Sequence, residues 1–191
     1  MNRIGLYGGT FDPVHRGHVA VARAAVNEFA LGRLYVVPVY QAPHRPGTTA
    51  SFADRLAMAR LAFAGWPDVA VSDLESKRGG ISYTIDSIET LRQLHPDSEL
   101  CLVVGADTAG EIETWREPKR LAESVHLLVA PRAGCAVNLP PQWRYSLMCM
   151  EPVMVSATDV RRAIRDGRPI GVSVPDTVAE YIAGHRVYNP A

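Results

Sequence analysis

Residues 8–18 read Gly8-Gly9-Thr10-Phe11-Asp12-Pro13-Val14-His15-Arg16-Gly17-His18. The stretch follows an apolar run at 4–7 that is typical of a β-strand. Behind it, apolar residues recur at the i, i+3, i+4, i+7 spacing of one buried helix face, at Ala22, Ala25, Val26 and Phe29. The pattern predicts a strand, a sharp glycine turn and a helix that ends near Gly32.

This strand–turn–helix junction is suited to binding an anion. Gly8 and Gly9 accept backbone angles closed to other residues and let main-chain N–H groups approach a ligand. The unpaired N–H groups and the positive dipole end of the following helix favour a phosphate. His15 and His18 lie three residues apart and can both lean toward it. The alternative is a helix-capping turn that carries two exposed histidines.

The remainder of the chain alternates strands and helices. Strand-like runs occur at 4–7, 34–39, 69–72, 100–104 and 125–130. Helical patterns include one at 83–94 and one opened by a Ser51/Asp54 capping box. Near-continuous apolar strands suit a sheet that is covered on both faces. We therefore predict an α/β fold, a Rossmann-like open parallel sheet with helices on both faces.

Length and charge limit the class of protein. With 191 residues, the chain fits a single domain, 1–191. Twenty Lys and Arg balance twenty Asp and Glu, so no global field attracts nucleic acid. The N-terminus lacks a signal-peptide pattern, and no apolar run approaches the roughly 20 residues that span a bilayer, so we expect a cytoplasmic protein without membrane partners. Three widely spaced cysteines suggest neither a disulfide framework nor a zinc site.

A second phosphate-binding candidate lies near the C-terminus, where residues 155–161 read Val155-Ser156-Ala157-Thr158-Asp159-Val160-Arg161 before a helical pattern. Hydroxyl groups at a helix start can bind phosphate oxygens. Arg161, one turn further on, adds a charged fork that matches phosphate. The alternative is a plain capping box formed by Ser156 and Asp159.

Both motifs resemble those of the nucleotidyltransferases. Gly-Thr-Phe-Asp-Pro-x-His-x-Gly-His resembles their first signature, and 155–161 resembles their late Ile-Ser-Ser-Thr-x-Ile-Arg motif, with Ala157 as the departure. The resemblance implies that the C-terminal helical part, about 156–191, completes an ATP site. It implies that His18 contacts the α-phosphate in the transition state and that His15 positions the triphosphate. The remaining ATP contacts that it implies are Gly8, Gly9, Thr10, Phe11, Ser156, Thr158 and Arg161.

Further segments resemble the nicotinate-nucleotide adenylyltransferase family over nearly the whole chain. They are Pro43-His44-Arg45, Arg55-Leu56-Ala57-Met58, Ser82-Tyr83-Thr84-Ile85-Asp86-Ser87, Gly105-Ala106-Asp107 followed by Trp115, and Val129-Ala130-Pro131-Arg132. The resemblance implies transfer of the adenylyl group of ATP to nicotinate mononucleotide, which gives nicotinate adenine dinucleotide and pyrophosphate in NAD biosynthesis. It also leaves a homodimer open.

The acceptor site implied by this resemblance contains four residues. Trp115 would stack on the pyridine ring, while Thr84 and nearby N–H groups would hold the carboxylate. Asp107 would bind a ribose hydroxyl or a hydrated metal ion. Arg45 stands where the family commonly has a lysine. The alternatives are a half-buried packing aromatic for Trp115, a helix N-cap for Asp107 and a solvated loop charge for Arg45.

The only cofactor expected is Mg²⁺ that arrives with ATP. The sequence has no carboxylate cluster, so we predict no metal site made by the protein itself. Other acceptors remain open, namely nicotinamide mononucleotide, phosphopantetheine and flavin mononucleotide, as does a non-catalytic ATP-binding sensor. A dinucleotide-dependent oxidoreductase is disfavoured, because Gly8-Gly9-Thr10-Phe11-Asp12-Pro13 does not fit Gly-x-Gly-x-x-Gly.

Overall fold

Strands and helices alternate along most of the chain. The computed structural model describes residues 2–43 and 47–188. The strands are β1 (Arg3–Gly9), β2 (Arg33–Pro38), β3 (Val69–Val71), β4 (Glu99–Gly105), β5 (His126–Ala130) and β6 (Tyr145–Leu147). The α-helices are α1 (Arg16–Glu28), α2 (Phe52–Ala62), α3 (Leu74–Arg78), α4 (Thr84–Leu94), α5 (Ala106–Gly110), α6 (Pro118–Ser124), α7 (Ala157–Arg165) and α8 (Asp176–Gly184). A short 3₁₀ helix covers Ile112–Thr114.

The six strands form one sheet in the order β3-β2-β1-β4-β5-β6. Every neighbouring pair is parallel. The strand order reverses direction between β1 and β4, which are hydrogen-bonded neighbours with Ile4 opposite Leu100. Their carboxyl ends, Gly9 and Gly105, therefore flank the crevice where open α/β sheets bind ligands.

Apolar side chains cover the sheet on both faces. One buried cluster joins the sheet to α1, α2, α7 and α8 and includes Ala22, Met58, Val160 and Val178. The other joins it to α4 and α6 and includes Ile85, Leu91 and Leu121. The predicted open parallel sheet with helices on both faces is confirmed.

The structure differs from the sequence-based prediction at several places, and the short helices α3, α5 and α6 were not predicted individually. β6 was not predicted, because its three residues include two exposed ones and form no apolar run. Helix α1 ends at Glu28 rather than near Gly32. The turn after β1 does not use unusual glycine angles: the strand continues through Gly9, and the left-handed residue is Phe11, with φ of 48°.

No helix among residues 2–43 and 47–188 is both long enough and apolar enough to span a membrane.

Candidate active site

His15 and His18 cap the start of α1 reciprocally. The backbone N–H of His18 donates to Nδ1 of His15 at 3.3 Å, and the backbone N–H of His15 donates to Nδ1 of His18 at 3.1 Å. The two rings stack with centroids 3.6 Å apart. Because both Nδ1 atoms accept hydrogen bonds, the proton of each neutral ring lies on Nε2. The cap thus fixes two Nε2–H donors at the N-terminus of α1.

Both rings are held in the neutral form. Burial lowers the pKa of His15 to about 4, and the positive charge of Arg132 contributes. Burial also lowers the pKa of His18 well below its usual value, with His15 as a further cause. Near pH 7 the pair therefore offers hydrogen-bond donors without a net positive charge, and two stacked cations are avoided.

Residues 8–14, which the sequence predicts to bind phosphate and which we therefore call the phosphate loop, pack onto the core through Phe11. This ring is fully buried and contacts the rings of Tyr7 and His18 edge-on, at centroid distances of 5.5 and 4.9 Å. A Cβ added to Gly9 would lie 3.2 Å from the Phe11 ring, whereas one added to Gly8 would meet no atom within 4 Å. Gly9 is thus needed for packing, and Gly8 faces the open crevice.

The late motif begins α7 as a helix cap. The Ser156 hydroxyl accepts from the backbone N–H of Asp159 at 3.1 Å and donates to the Asp159 carboxylate at 2.6 Å. The capping alternative for Ser156 is therefore present in the structure, and it engages the hydroxyl that was expected to bind phosphate. The Thr158 hydroxyl accepts from Arg161 at 3.3 Å.

Two arginines connect the phosphate loop to the helices around it. Arg161 donates through Nη1 to the carbonyl of Asp12 at 2.6 Å, which brings the early and late motifs together across 149 positions. Arg55 is 1% exposed and donates to the carbonyl of Thr10 at 2.8 Å. In the sequence, Arg55 is only part of a segment that resembles the family, and Asp12 is only part of the first motif, so neither was predicted to have a role of its own. No local pattern marks either contact, because the partners are distant in sequence.

The Asp107 carboxylate lies just beyond the carboxyl end of β4. Asp107 is in the first turn of α5, and the N-cap of that helix is Gly105, so the N-cap alternative for Asp107 is wrong. Its Oδ2 accepts from Nη1 of Arg132 at 2.7 Å. Arg132 follows β5, so this ion pair joins two neighbouring strand ends beside His15, whose pKa Arg132 helps to lower.

Thr84 and Trp115 lie on the α4 side of the sheet. Thr84 is the first residue of α4. Trp115 directly follows the 3₁₀ helix, is half-buried and packs against the same apolar cluster as Tyr83. The guanidinium carbon of Arg116 lies 4.5 Å from the centre of the Tyr83 ring. The packing role of Trp115 is thus present, with part of the ring left accessible. The prediction for Arg45 lies outside the described residues.

Comparison with known proteins assigns the family. The Cytidylyltransferase-like family model matches residues 6–163. A probable nicotinate-nucleotide adenylyltransferase of Thermomicrobium roseum is 40% identical, over 98% of this chain and 92% of the relative. One from Bordetella petrii is 38% identical, over 98% of this chain and 100% of the relative. The chain belongs to the nicotinate-nucleotide adenylyltransferase family. The resemblance inferred from the sequence motifs is confirmed.

Solved structures agree on the fold of this family member. Plasmodium falciparum nicotinic acid mononucleotide adenylyltransferase complexed with NaAD superposes with a TM-score of 0.85 at 20% identity, covering 98% of each chain. The same protein complexed with APC gives a TM-score of 0.84, also at 20% identity and 98% coverage. At this level of identity, the likeness establishes the nucleotidyltransferase-like fold.

The described residues provide no protein-made metal cage. Among residues 2–43 and 47–188, no three His, Cys, Asp or Glu side chains are grouped so as to hold a metal ion. The Asp107 carboxylate stands at the crevice with Arg132 as its partner. A single carboxylate fits a hydrated Mg²⁺ that is held mainly by substrate phosphates, because Mg²⁺ retains several of its waters.

Proposed function

We propose that this protein transfers the adenylyl group of ATP to nicotinate mononucleotide, which gives nicotinate adenine dinucleotide and pyrophosphate, a step of NAD biosynthesis. As a member of its family it is a nucleotidyltransferase enzyme. The observation that carries the proposed mechanism is the reciprocal His15–His18 cap, which places two neutral donors and a helix N-terminus at the crevice between β1 and β4.

The reaction needs no protein nucleophile. An oxygen of the mononucleotide 5′-phosphate attacks the α-phosphorus of ATP, a new P–O bond forms, and the bond to the pyrophosphate oxygen breaks. Negative charge develops on the transferring group and on the leaving oxygen. Catalysis of this kind rests on alignment and on preorganised donors aimed at that charge. The Nε2–H groups of His15 and His18 and the N-terminus of α1 supply such donors.

On the ATP side, His18 donates to the α-phosphate in the transition state, and His15 positions the triphosphate. Arg161 and Thr158 hold the β- and γ-phosphates, and Ser156 contributes by capping α7 next to them. The backbone of Gly8, Gly9, Thr10 and Phe11 lines the phosphates. In this proposal 1–191 is one domain, and its C-terminal helical part, about 156–191, completes the ATP site.

On the acceptor side, Trp115 stacks on the pyridine ring, and Thr84 with the adjacent N–H groups of α4 holds the nicotinate carboxylate. Asp107 binds a ribose hydroxyl or a water of the hydrated metal ion, and its partner Arg132 adds positive charge beside the mononucleotide phosphate. Arg45 is proposed as an acceptor contact from sequence alone. Mg²⁺ bound to the triphosphate neutralises phosphate charge.

The test is pyrophosphate release by the purified protein with Mg²⁺ and ATP. Nicotinate mononucleotide, nicotinamide mononucleotide, phosphopantetheine and flavin mononucleotide are compared side by side, with and without a chelator. We expect turnover with nicotinate mononucleotide and none with chelator. Preference for another acceptor would overturn the roles of Thr84 and Trp115. ATP binding without turnover on any acceptor would favour a sensor.

A further inference from the structure

The Asp12 carboxylate is the buried polar centre of the phosphate loop. Asp12 is 5% exposed. Its Oδ2 accepts from the backbone N–H of Thr49 at 2.7 Å, and its Oδ1 accepts from the N–H of Ala50 at 3.1 Å and from the hydroxyl of Tyr188 at 2.8 Å. A buried carboxylate is stable only when such donors surround it. The loop conformation therefore depends on these three bonds.

Tyr188 reaches Asp12 from the other end of the chain, 176 positions away. After α8, the backbone turns through two non-glycine residues with left-handed angles, Arg186 with φ of 52° and Tyr188 with φ of 70°. Val187 between them is buried. Left-handed angles are unfavourable for residues that carry a Cβ, so the turn persists because its surroundings hold it. The strain is thus located where the tail meets the phosphate loop.

We infer that Tyr188 is a positioning residue for ATP, acting through Asp12. The inference rests on the proposed function. The Tyr188 hydroxyl fixes the carboxylate of Asp12, while Arg161 donates to the carbonyl of the same residue. Both contacts hold the peptide groups of the phosphate loop in the orientation in which their N–H groups meet the triphosphate. Binding of ATP, and not of the acceptor, should depend on the tail.

The phenol of Tyr188 stays protonated, so it can donate to Asp12. Burial raises the pKa of its phenol above the usual value, and the negative charge of Asp12 raises it further. The hydroxyl therefore keeps its proton at neutral pH. Its partner Asp12 also lies within 4.0 Å of Nη1 of Arg161, so the carboxylate joins the tail and α7 in one polar network.

The test compares Tyr188→Phe with Tyr181→Phe. The first change removes only the hydroxyl and keeps the ring, which packs against the core cluster. The matched control removes another tyrosine hydroxyl of the C-terminal segment, one that donates to Asp54 at 3.0 Å instead of Asp12. Calorimetric titration measures the affinity of each variant for a non-hydrolysable ATP analogue and for nicotinate mononucleotide, and melting temperatures are recorded.

We expect Tyr188→Phe to weaken the ATP analogue about tenfold, as for loss of a hydrogen bond to a charged group. Affinity for nicotinate mononucleotide should change less than about twofold, and Tyr181→Phe should resemble the wild type. Unchanged analogue affinity, an equal loss for both ligands, or the same loss in Tyr181→Phe would overturn the inference.

Hydrogen exchange supplies a second readout that needs no ligand. In Tyr188→Phe, amides at 9–12 should exchange faster, while those of α2 keep the wild-type rate; unchanged exchange at 9–12 would count against the inference. Neither readout requires turnover. Wild-type protein that binds ATP but makes no pyrophosphate with nicotinate mononucleotide would refute the proposed function, and the affinity comparison would still decide the role of Tyr188.

Discussion

At the residue scale, the decisive feature is that His18 acts as a neutral donor. Its Nδ1 accepts from the backbone N–H of His15, so the ring proton lies on Nε2, the atom that donates to the α-phosphate in the proposed mechanism. We predict that His18→Ala lowers kcat by about 10² to 10³, the usual effect of removing one transition-state donor. His18→Gln, which keeps an amide N–H near the same position, should retain substantially more activity. Equal losses in the two variants, measured as pyrophosphate release, would contradict the role of His18 as a neutral donor.

The buried histidines His15 and His18 should make the folded protein less stable at acidic pH. A free histidine has a pKa near 6.5, whereas burial lowers that of His15 to about 4. Above pH 6.5 both states are neutral; below it the unfolded chain binds protons first, so the free energy of unfolding falls as pH drops toward 4. The slope is up to about 1.4 kcal/mol per pH unit for each histidine. Urea denaturation from pH 7 to 4 should show a shallower slope for His15→Asn, which retains a capping side chain. Parallel profiles would contradict this.

At the element scale, the two glycines at the end of β1 have different roles: Gly9 packs against the core, and Gly8 faces the crevice. A methyl group on Gly9 would press on the buried Phe11 ring, whereas one on Gly8 would meet only open space. Gly9→Ala should therefore destabilise the fold by about 1 to 3 kcal/mol. Gly8→Ala should leave the melting temperature unchanged but weaken ATP about tenfold or more, since it blocks close approach of phosphate. Thermal melts and ATP titrations distinguish the two variants. A lowered melting temperature for Gly8→Ala would contradict the prediction, because it would mean that the added methyl group meets protein atoms and not the space reserved for the ligand.

Sequence patterns predicted most elements because those patterns are local. The helix periodicity behind the histidines and the apolar run at 100–104 each reflect burial of one segment, and α1 and β4 formed there. β6 was not predicted, because two of its three residues are exposed although it pairs with β5, where Leu127 lies opposite Tyr145. Of the predicted Ser51/Asp54 capping box, the N-cap bond from the backbone N–H of Asp54 to the Ser51 hydroxyl is present, and it could be predicted because the two residues are only three positions apart.

At the scale of the whole molecule, the candidate site residues could be predicted from the sequence, but the long-range contacts between them could not. The two motifs predicted His15, His18 and Arg161 as site residues. They did not predict the hydrogen bond from Arg161 to the carbonyl of Asp12, which spans 149 positions. The bond from Tyr188 to Asp12 spans 176. Contacts of this range follow from the strand order and the return of the C-terminal helices, which no local pattern encodes. The assignment of ligand contacts to the predicted site residues remains a proposal.

In the proposed mechanism, the reversal of strand order between β1 and β4 separates two binding regions, with Arg161 on the ATP side and Trp115 on the acceptor side. We predict a crossed result in steady-state kinetics. Arg161→Ala should raise the KM for ATP about tenfold or more, because a charged contact is lost, and leave the acceptor KM nearly unchanged. Trp115→Ala should do the reverse, since stacking on an aromatic ring contributes about 1 to 3 kcal/mol.

The matched control is Arg162→Ala, the next residue of α7, whose guanidinium pairs with Asp159 instead of the phosphate loop. It removes the same charge from the same helix, so both KM values should stay near wild type. A rise in the ATP KM as large as that of Arg161→Ala would mean that α7 acts through its overall charge. A loss of both affinities in Trp115→Ala would mean that this ring supports the fold of the crevice as a whole, because it already packs against the apolar cluster on the α4 side of the sheet.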